Sequence, residues 1–389
     1  MTRWENYLAS AEKIIRTYDS HVPLHHFLKA FFKQHPHMGS RDRRWVSQLV
    51  YHYFRLGYLG KAVMTVPERI QAGTFLCETQ SNEWLAFFRP DLNEQIGLSL
   101  EEKLAKIAPP GEAAVPAAIF PFINELSEDI DAAAFAHSFF VQPRLFIRVR
   151  NKQERLLNLL QQAGVAYEVI GRNTIALPNS TRIDDIITNK AWYEIQDVSS
   201  QQTGQLFKPR PKDKWWDCCA ASGGKAILLK DLQPTVDILV TDVRATILDN
   251  LKKRFAEAGI KDFQSKVMDL TGSNLPTLVG NRQFDGIILD APCSGSGTWG
   301  RTPESLLGFT ADKILEFQEL QKRIAKNVIP FIKPGGTLIY ITCSVFKKEN
   351  EEMVQWIVEN STLQVVEGGT IKGYHDGADS MFAVKLVKE

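Results

Sequence analysis

The sequence predicts an α/β protein whose second half is a doubly wound, parallel sheet, preceded by an all-α part and a small α+β unit. Three observations predict this. From about residue 201, short apolar runs alternate with helical stripes, as in a parallel sheet covered on both faces. Through the first hundred residues the apolar side chains recur at helical spacing. Between these parts, short alternating runs flank one helical stretch. The boundaries expected are 1–118 for the helical domain, 119–200 for the α+β domain and 201–389 for the sheet domain.

The helical stripes come first. Trp4, Tyr7, Leu8, Ala11, Ile14, Ile15 and Tyr18 form one; Leu24, Phe27, Leu28, Phe31 and Phe32 form a second. Trp45, Val46, Leu49, Val50, Tyr53 and Phe54 form a third, after Gly39-Ser40, and amphipathic helix continues to about Ile107. Residues 108–118, with three prolines and a glycine, break helix and read as a linker. Residues 124–139 then look helical. Arg144 to Val149 alternates like a strand, 154–163 reads as helix, and Val165 to Ile170 and Thr174 to Leu177 as strands. In the sheet domain the predicted strands are Trp215 to Cys218, Val236 to Val240, one ending at Val267-Met268-Asp269, Phe284 to Leu289, and Leu338 to Ile341. A helix carrying Ile247, Leu248, Leu251 and Phe255 follows the second.

Composition excludes several classes. No apolar run approaches the ~20 residues a membrane span needs, and MTRWENYLAS lacks a signal-peptide core. Five cysteines (Cys77, Cys218, Cys219, Cys293, Cys343), an odd number without CxxC spacing, predict reduced thiols in a cytoplasmic protein rather than a disulfide frame or a zinc site. The net charge is +1, but residues 1–61 hold ten basic and four acidic side chains, so the remainder carries −5. A basic first domain suggests a grip on a polyanion; a solvated helix face is the other reading. Arg41, Arg43 and Arg44 open the third helix, where the helix dipole disfavours cations unless an anion or carboxylate meets them. Arg144, Arg148, Arg150, Lys152 and Arg155 make the α+β unit locally basic, a second candidate RNA-contacting surface.

The chemistry-bearing residues fall at strand ends. Asp290-Ala291-Pro292-Cys293-Ser294-Gly295 follows one predicted strand and Thr342-Cys343-Ser344 another. In an open α/β sheet the carboxyl edge is where ligands bind, although a strand-end cysteine is also a common buried hydrophobe. Ala220-Ala221-Ser222-Gly223-Gly224-Lys225 ends the first strand of the sheet domain, and its Gly-Gly turn lets backbone amides approach a ligand. Asp242 ends the second strand, where an acid can accept from both ribose hydroxyls. Asp269 ends the third, where a carboxylate can meet an adenine amino group. Together they imply an adenosine-containing cofactor, with a turn or helix cap as the alternative for each aspartate. The G-x-G-x-x-G spacing of a nicotinamide or flavin site is missing.

Asp217-x-Cys219-Ala220-Ala221-x-Gly223-Gly224-Lys225, Asp290-Ala291-Pro292-Cys293-Ser294-Gly295 and Tyr340-x-Thr342-Cys343-Ser344 together resemble the RNA (cytosine-5)-methyltransferase family. Gln196-Asp197-x-x-Ser200-Gln201, Gln318, Glu349-Asn350-Glu351 and the closing Met381 to Leu386 strand are further family-like features. The N-terminal Ser40-Arg41-Asp42-Arg43-Arg44, Leu49-Val50-Tyr51 and Phe54-Arg55 look like the NusB-like domain of bacterial members that act on 16S rRNA. The sequence departs from the family at Ser222, usually proline, at Ala226, usually threonine, and at Arg150, often asparagine.

The resemblance implies a Rossmann-like class I methyltransferase domain that uses S-adenosylmethionine to methylate a cytosine in RNA, rRNA first and tRNA as the alternative. It implies Cys343 as the nucleophile, Cys293 as the thiol that assists release, and Asp290 on N3 of the base. Cys219, Ala220, Ala221, Ser222, Gly223, Gly224, Lys225, Asp242, Asp269 and Asp290 would line the cofactor. Arg41, Arg43, Arg44, Arg148 and Arg150 are the RNA-binding candidates. The expectation is a cytoplasmic monomer with no membrane and no metal. A non-catalytic RNA-binding assembly factor is the contrasting reading, and the paired thiols argue against it.

Overall fold

The computed structural model describes residues 1–112, 116–272 and 275–389. The chain forms two compact units. The first comprises Met1–Leu126, Asp131–Gln142 and Thr298–Thr310; the second comprises Ser127–Ile130, Pro143–Gly297 and Ala311–Glu389. Among the described residues no helix is long and apolar enough to cross a membrane.

The first unit is helical, with helices Arg3–Thr17, Leu24–Gln34, Ser40–Arg55 and Val66–Cys77 as its frame. The three expected stripes bury against one another through Trp4, Ala11, Ile14, Leu28, Phe31, Val46, Leu49 and Val50. Asp42 resolves the charge problem at the start of the third helix. Its Oδ2 accepts from the Gly39 amide at 2.8 Å and its Oδ1 from the Tyr7 hydroxyl at 2.5 Å. These bonds, the Tyr7 one foremost, hold its carboxyl below the usual range.

Two expectations need correction here. The Pro-rich stretch 108–118, of which 113–115 lie outside the described residues, does not end the first unit. Ile119 and Phe120 beyond it are buried, and the Ile119 carbonyl accepts from the Tyr58 amide at 3.0 Å. Residues 124–139 are not one helix. A 3₁₀ turn covers Ile123–Glu125 and an α-helix begins only at Ala132, where Asp131 caps it by accepting from the Ala134 amide. The Ser127 amide is committed to the Val345 carbonyl at 2.8 Å, which takes 127 out of any helix ladder.

The second unit holds two sheets. The smaller uses β1 (Leu145–Val149), β2 (Glu168–Ile170), β3 (Thr174–Leu177) and β4 (Tyr193–Ile195), all antiparallel in the order β2-β3-β1-β4. Helix Gln153–Gln162 covers it through Leu156 and Leu160. The larger sheet uses β5 (Lys214–Asp217), β6 (Asp237–Asp242), β7 (Gln264–Val267), β8 (Phe284–Asp290), β9 (Ile332–Thr342), β10 (Leu363–Ile371) and β11 (Met381–Lys388), in the order β10-β11-β9-β8-β5-β6-β7. The five strands β9-β8-β5-β6-β7 are parallel, as predicted, while β11 runs antiparallel to both its neighbours. Alternate residues enter two separate cores: Trp216, Leu239, Ile287, Leu338 and Tyr340 on one face, Trp215, Ile238, Ile288, Ile339 and Ile341 on the other. The strand order reverses between β8 and β5, and the carboxyl edge there is the crevice where such sheets bind ligands.

Candidate active site

Strand register brings the sequence-predicted residues together. Asp290 pairs with Ile341 across β8 and β9, so the turns that follow, with Cys293 and Cys343, leave the sheet side by side. The Ala291 amide donates to the Ile341 carbonyl at 2.8 Å and the Gly297 amide to the Cys343 carbonyl at 2.9 Å, which closes the two turns on each other. A Cβ at Gly297 would meet the Ser380 carbonyl at 1.9 Å, so glycine is required there. The two sulfurs lie 3.4 Å apart and both residues are half-buried. The Cys343 sulfur, then burial, push the Cys293 thiol well up.

On the β5 side, Lys225 is buried and its Nζ donates to Asp290 Oδ2 at 3.1 Å and to Ser200 Oγ at 2.8 Å. Asp217, at the end of β5, is fully buried, and neither carboxylate oxygen has a hydrogen-bond partner of good geometry. Burial, and then the negative charge of Asp290, raise its pKa to about 8 against the weaker pull of Lys225 and the Ala226 amide.

The loop between β5 and helix Gly224–Leu232 bends through two left-handed residues, Ala221 at φ +45° and Gly223 at φ +87°. A Cβ at Gly223 would come within 2.9 Å of Leu251 and Phe255. Ser222, between them, receives two bonds from Arg254, at 2.8 Å on its carbonyl and 2.7 Å on its hydroxyl. Asp242 is buried at the end of β6. Its Oδ2 accepts from the Ala221 amide at 3.1 Å and its Oδ1 from the Arg244 amide at 2.9 Å and guanidinium at 3.1 Å. Asp269 is exposed just past β7. Thr271, by hydroxyl and amide, donates to its Oδ1 and lowers its pKa.

Against known proteins, residues 204–380 match the family described as 16S rRNA methyltransferase RsmB/F. A ribosomal RNA small subunit methyltransferase B of Erwinia tasmaniensis is 34% identical over 209 residues, 52% of this chain and 48% of that protein. The protein of the same description from Enterobacter sp. (strain 638) is 32% identical over 273 residues, 64% of this chain and 60% of that one. The chain therefore spans about half to three-fifths of the curated relatives it matches. The crystal structure of PH0851 superposes with a TM-score of 0.75 at 20% identity, covering 100% of this chain and 99% of the other, which establishes the fold.

Within residues 204–380, Cys293 and Cys343 lie in contact, Lys225 bonds Asp290, and the Ala221 amide bonds Asp242. Cys219 is half-buried beside Cys218, whose thiol donates to the Ile288 carbonyl. Ala226, which replaces the family threonine, is fully buried in the helix and packs in the sheet core. Two candidates need correction. Arg148 and Arg150 face inward, with side chains only 8% and 10% exposed, and both grip Asp231 at 2.6 and 2.7 Å. They tie β1 to helix Gly224–Leu232 and offer little charge to a nucleic acid. Ser200, Asp217, Arg254 and Glu349 were not assigned to the site from sequence. The family-like Gln196-Asp197-x-x-Ser200, Asp217-x-Cys219 and Glu349-Asn350-Glu351 runs are the available signal for three of them, and Arg254 has none.

Proposed function

We propose that the protein transfers a methyl group from S-adenosylmethionine to carbon 5 of a cytosine in RNA, with small-subunit ribosomal RNA as the substrate. The observation that carries this reading is the pair of reduced thiols 3.4 Å apart at adjacent strand ends, beside Asp290 and Lys225. A purely RNA-binding protein needs neither thiol.

The residues fit the cofactor. Gly223, at φ +87° and packed where a Cβ would strike Leu251 and Phe255, allows the loop its tight turn beside the site, and Asp217 supplies a buried carboxyl group suited to an ammonium group. Asp242 is assigned to the ribose, whose hydroxyls would take over the bonds now made by the Arg244 side chain, itself 59% exposed. Asp269, with Oδ1 spent on Thr271, retains Oδ2 for the adenine amino group. When bound, S-adenosylmethionine supplies an electrophilic methyl group on a sulfonium.

The chain's own groups do the rest. Carbon 5 of cytosine is a weak nucleophile, and addition of the Cys343 thiolate to carbon 6 converts the ring to an enamine that is nucleophilic at carbon 5. Asp290, held by Lys225, is assigned to N3, where charge develops as the thiolate adds. After methyl transfer the carbon-5 proton leaves to a base, the carbon 6–sulfur bond breaks, and Cys343 departs as thiolate. Cys293, whose thiol the neighbouring sulfur holds protonated, assists that departure. A base stacked in a helix cannot reach the thiols, so the target is unpaired or flipped out.

The test separates the cysteines. Cys343→Ala should abolish methylation and any covalent RNA adduct. Cys293→Ala should accumulate a denaturant-resistant protein–RNA species when S-adenosylmethionine is present, seen as a shifted band on a denaturing gel. An adduct in Cys343→Ala would exchange the roles, and full activity in both variants would sink the covalent mechanism.

A further inference from the structure

We infer that Glu349 is a positioning residue, which ties the turn after Cys293 to the turn after Cys343 and so holds the two sulfurs in contact. Glu349 is fully buried. Its Oε1 accepts from the Ser294 amide at 2.8 Å and from Gln321 at 3.3 Å. Its Oε2 accepts from the Ser294 hydroxyl at 2.6 Å and from the Ser344 hydroxyl. Ser294 and Ser344 are the residues immediately after the two cysteines. The backbone of Glu349 is itself anchored, its carbonyl accepting from the Tyr340 hydroxyl at 2.6 Å and its amide donating to Phe346 at 3.0 Å.

A carboxylate with no exposure is costly to bury, and apolar packing of the same volume is often as stable or more so. Here its oxygens collect donors from both thiol turns at once, which an apolar side chain could not do. The charge has a second effect. The groups that face Cys293 are Cys343, Glu349 and Tyr340, and the first two oppose its ionisation while Cys293 in turn opposes that of Tyr340. Glu349 is itself raised by burial and drawn back by Ser294 and Ser344. The clasp therefore fixes the spacing of the pair and favours keeping the proton on Cys293. Its part in catalysis rests on the methyltransferase reading; its part in geometry does not.

Two variants of the full chain test it. Glu349→Gln keeps a hydrogen-bonding group in place without the charge, and Glu349→Ala removes both. Alkylation of Cys293 by iodoacetamide, followed across pH by peptide mapping, should have its midpoint at lower pH in Glu349→Gln than in the wild type. A change in packing alone would not move it that way. kcat for methyl transfer should fall on the order of 10²-fold in Glu349→Ala, be largely rescued in Glu349→Gln, and leave S-adenosylmethionine affinity by calorimetry unchanged in both. An unmoved or raised Cys293 midpoint in Glu349→Gln, or wild-type kcat in Glu349→Ala, overturns the inference. If Glu349→Ala does not fold, Ser344→Ala removes one tether and should lower kcat at unaltered cofactor affinity; wild-type kcat there overturns it equally. If the wild type itself methylates no RNA, the proposed function fails while the alkylation profile still decides the clasp.

Discussion

Asp217 is a carboxylic acid fully buried at the end of β5, with no hydrogen bond of good geometry to either oxygen. Its folded pKa of about 8 lies well above the unfolded value near 3.9. The native state thus holds a proton that the unfolded chain has released, and the Asp217 contribution to stability declines as pH rises from about 4 to about 8. Asp217→Asn should therefore stabilise the cofactor-free protein by up to roughly 5 kcal/mol near pH 8, with the gain shrinking toward pH 4. The same change should weaken S-adenosylmethionine binding, because the amide cannot pair with an ammonium group. Thermal melts across pH check the first expectation; a gain independent of pH would show that the carboxyl does not titrate as described. Cys293, Cys343 and Asp290 were legible in the sequence because a strand end places a residue whatever surrounds it. The orphaned state of Asp217 was not, since it depends on what β6, β8 and Lys225 bring to the same point. Glu349 stands in a family-like run, but its partners Ser294 and Gln321 lie 55 and 28 residues away.

Among the elements, the loop after β5 shows how a departure from the family pattern is accommodated. Ser222 stands where the family this chain resembles usually has proline, and Arg254 from helix Ala245–Glu257 clamps its carbonyl and hydroxyl while also bonding Glu194 at 2.6 Å. We expect Arg254→Ala to weaken S-adenosylmethionine binding by roughly 1–3 kcal/mol, in line with loss of charge-assisted hydrogen bonds, with Ser222→Ala affected less because the carbonyl contact survives. Glu194→Gln, which alters the other end of the clamp, should leave cofactor affinity near wild type. Calorimetry on the three variants decides it, and equal affinity in Arg254→Ala would remove the clamp from the argument. Strand and helix positions were read well wherever apolar spacing was regular. The apolar spacing predicts no strand at β10, because its run Leu363–Ile371 contains two glycines and a bulge near Val366 in place of clean alternation. Arg148 and Arg150 looked like surface charge because a local count cannot see Asp231, 81 to 83 residues onward.

For the molecule as a whole, the uneven charge is the feature with most bearing on the proposed capture of RNA. The first unit has a cleft of about 440 Å³ lined by His25, Leu28, Lys29, Phe32, Arg43, Arg44, Ser47 and Tyr51, with no acidic residue among them. Helix Leu24–Gln34, which forms one wall, also lacks any acid. Arg41 stands apart, with its guanidinium 3.9 Å from Glu83, so part of its charge is already answered. The three arginines that the sequence presents as one cluster are thus unequal. If Arg43 and Arg44 each neutralise a phosphate, each releases counterions on binding, and the log–log dependence of RNA affinity on salt steepens by about 1 per contact. Arg43→Ala with Arg44→Ala should therefore reduce the slope by about 2, while Arg41→Ala alone should change it less. Affinity for S-adenosylmethionine should not move in either variant, since these residues lie in a separate unit from the crevice. Filter binding of small-subunit rRNA fragments over a salt series measures the slope. A slope unaltered in the double variant would make the cleft an ordinary solvated face and require the RNA grip to be sought elsewhere on the chain.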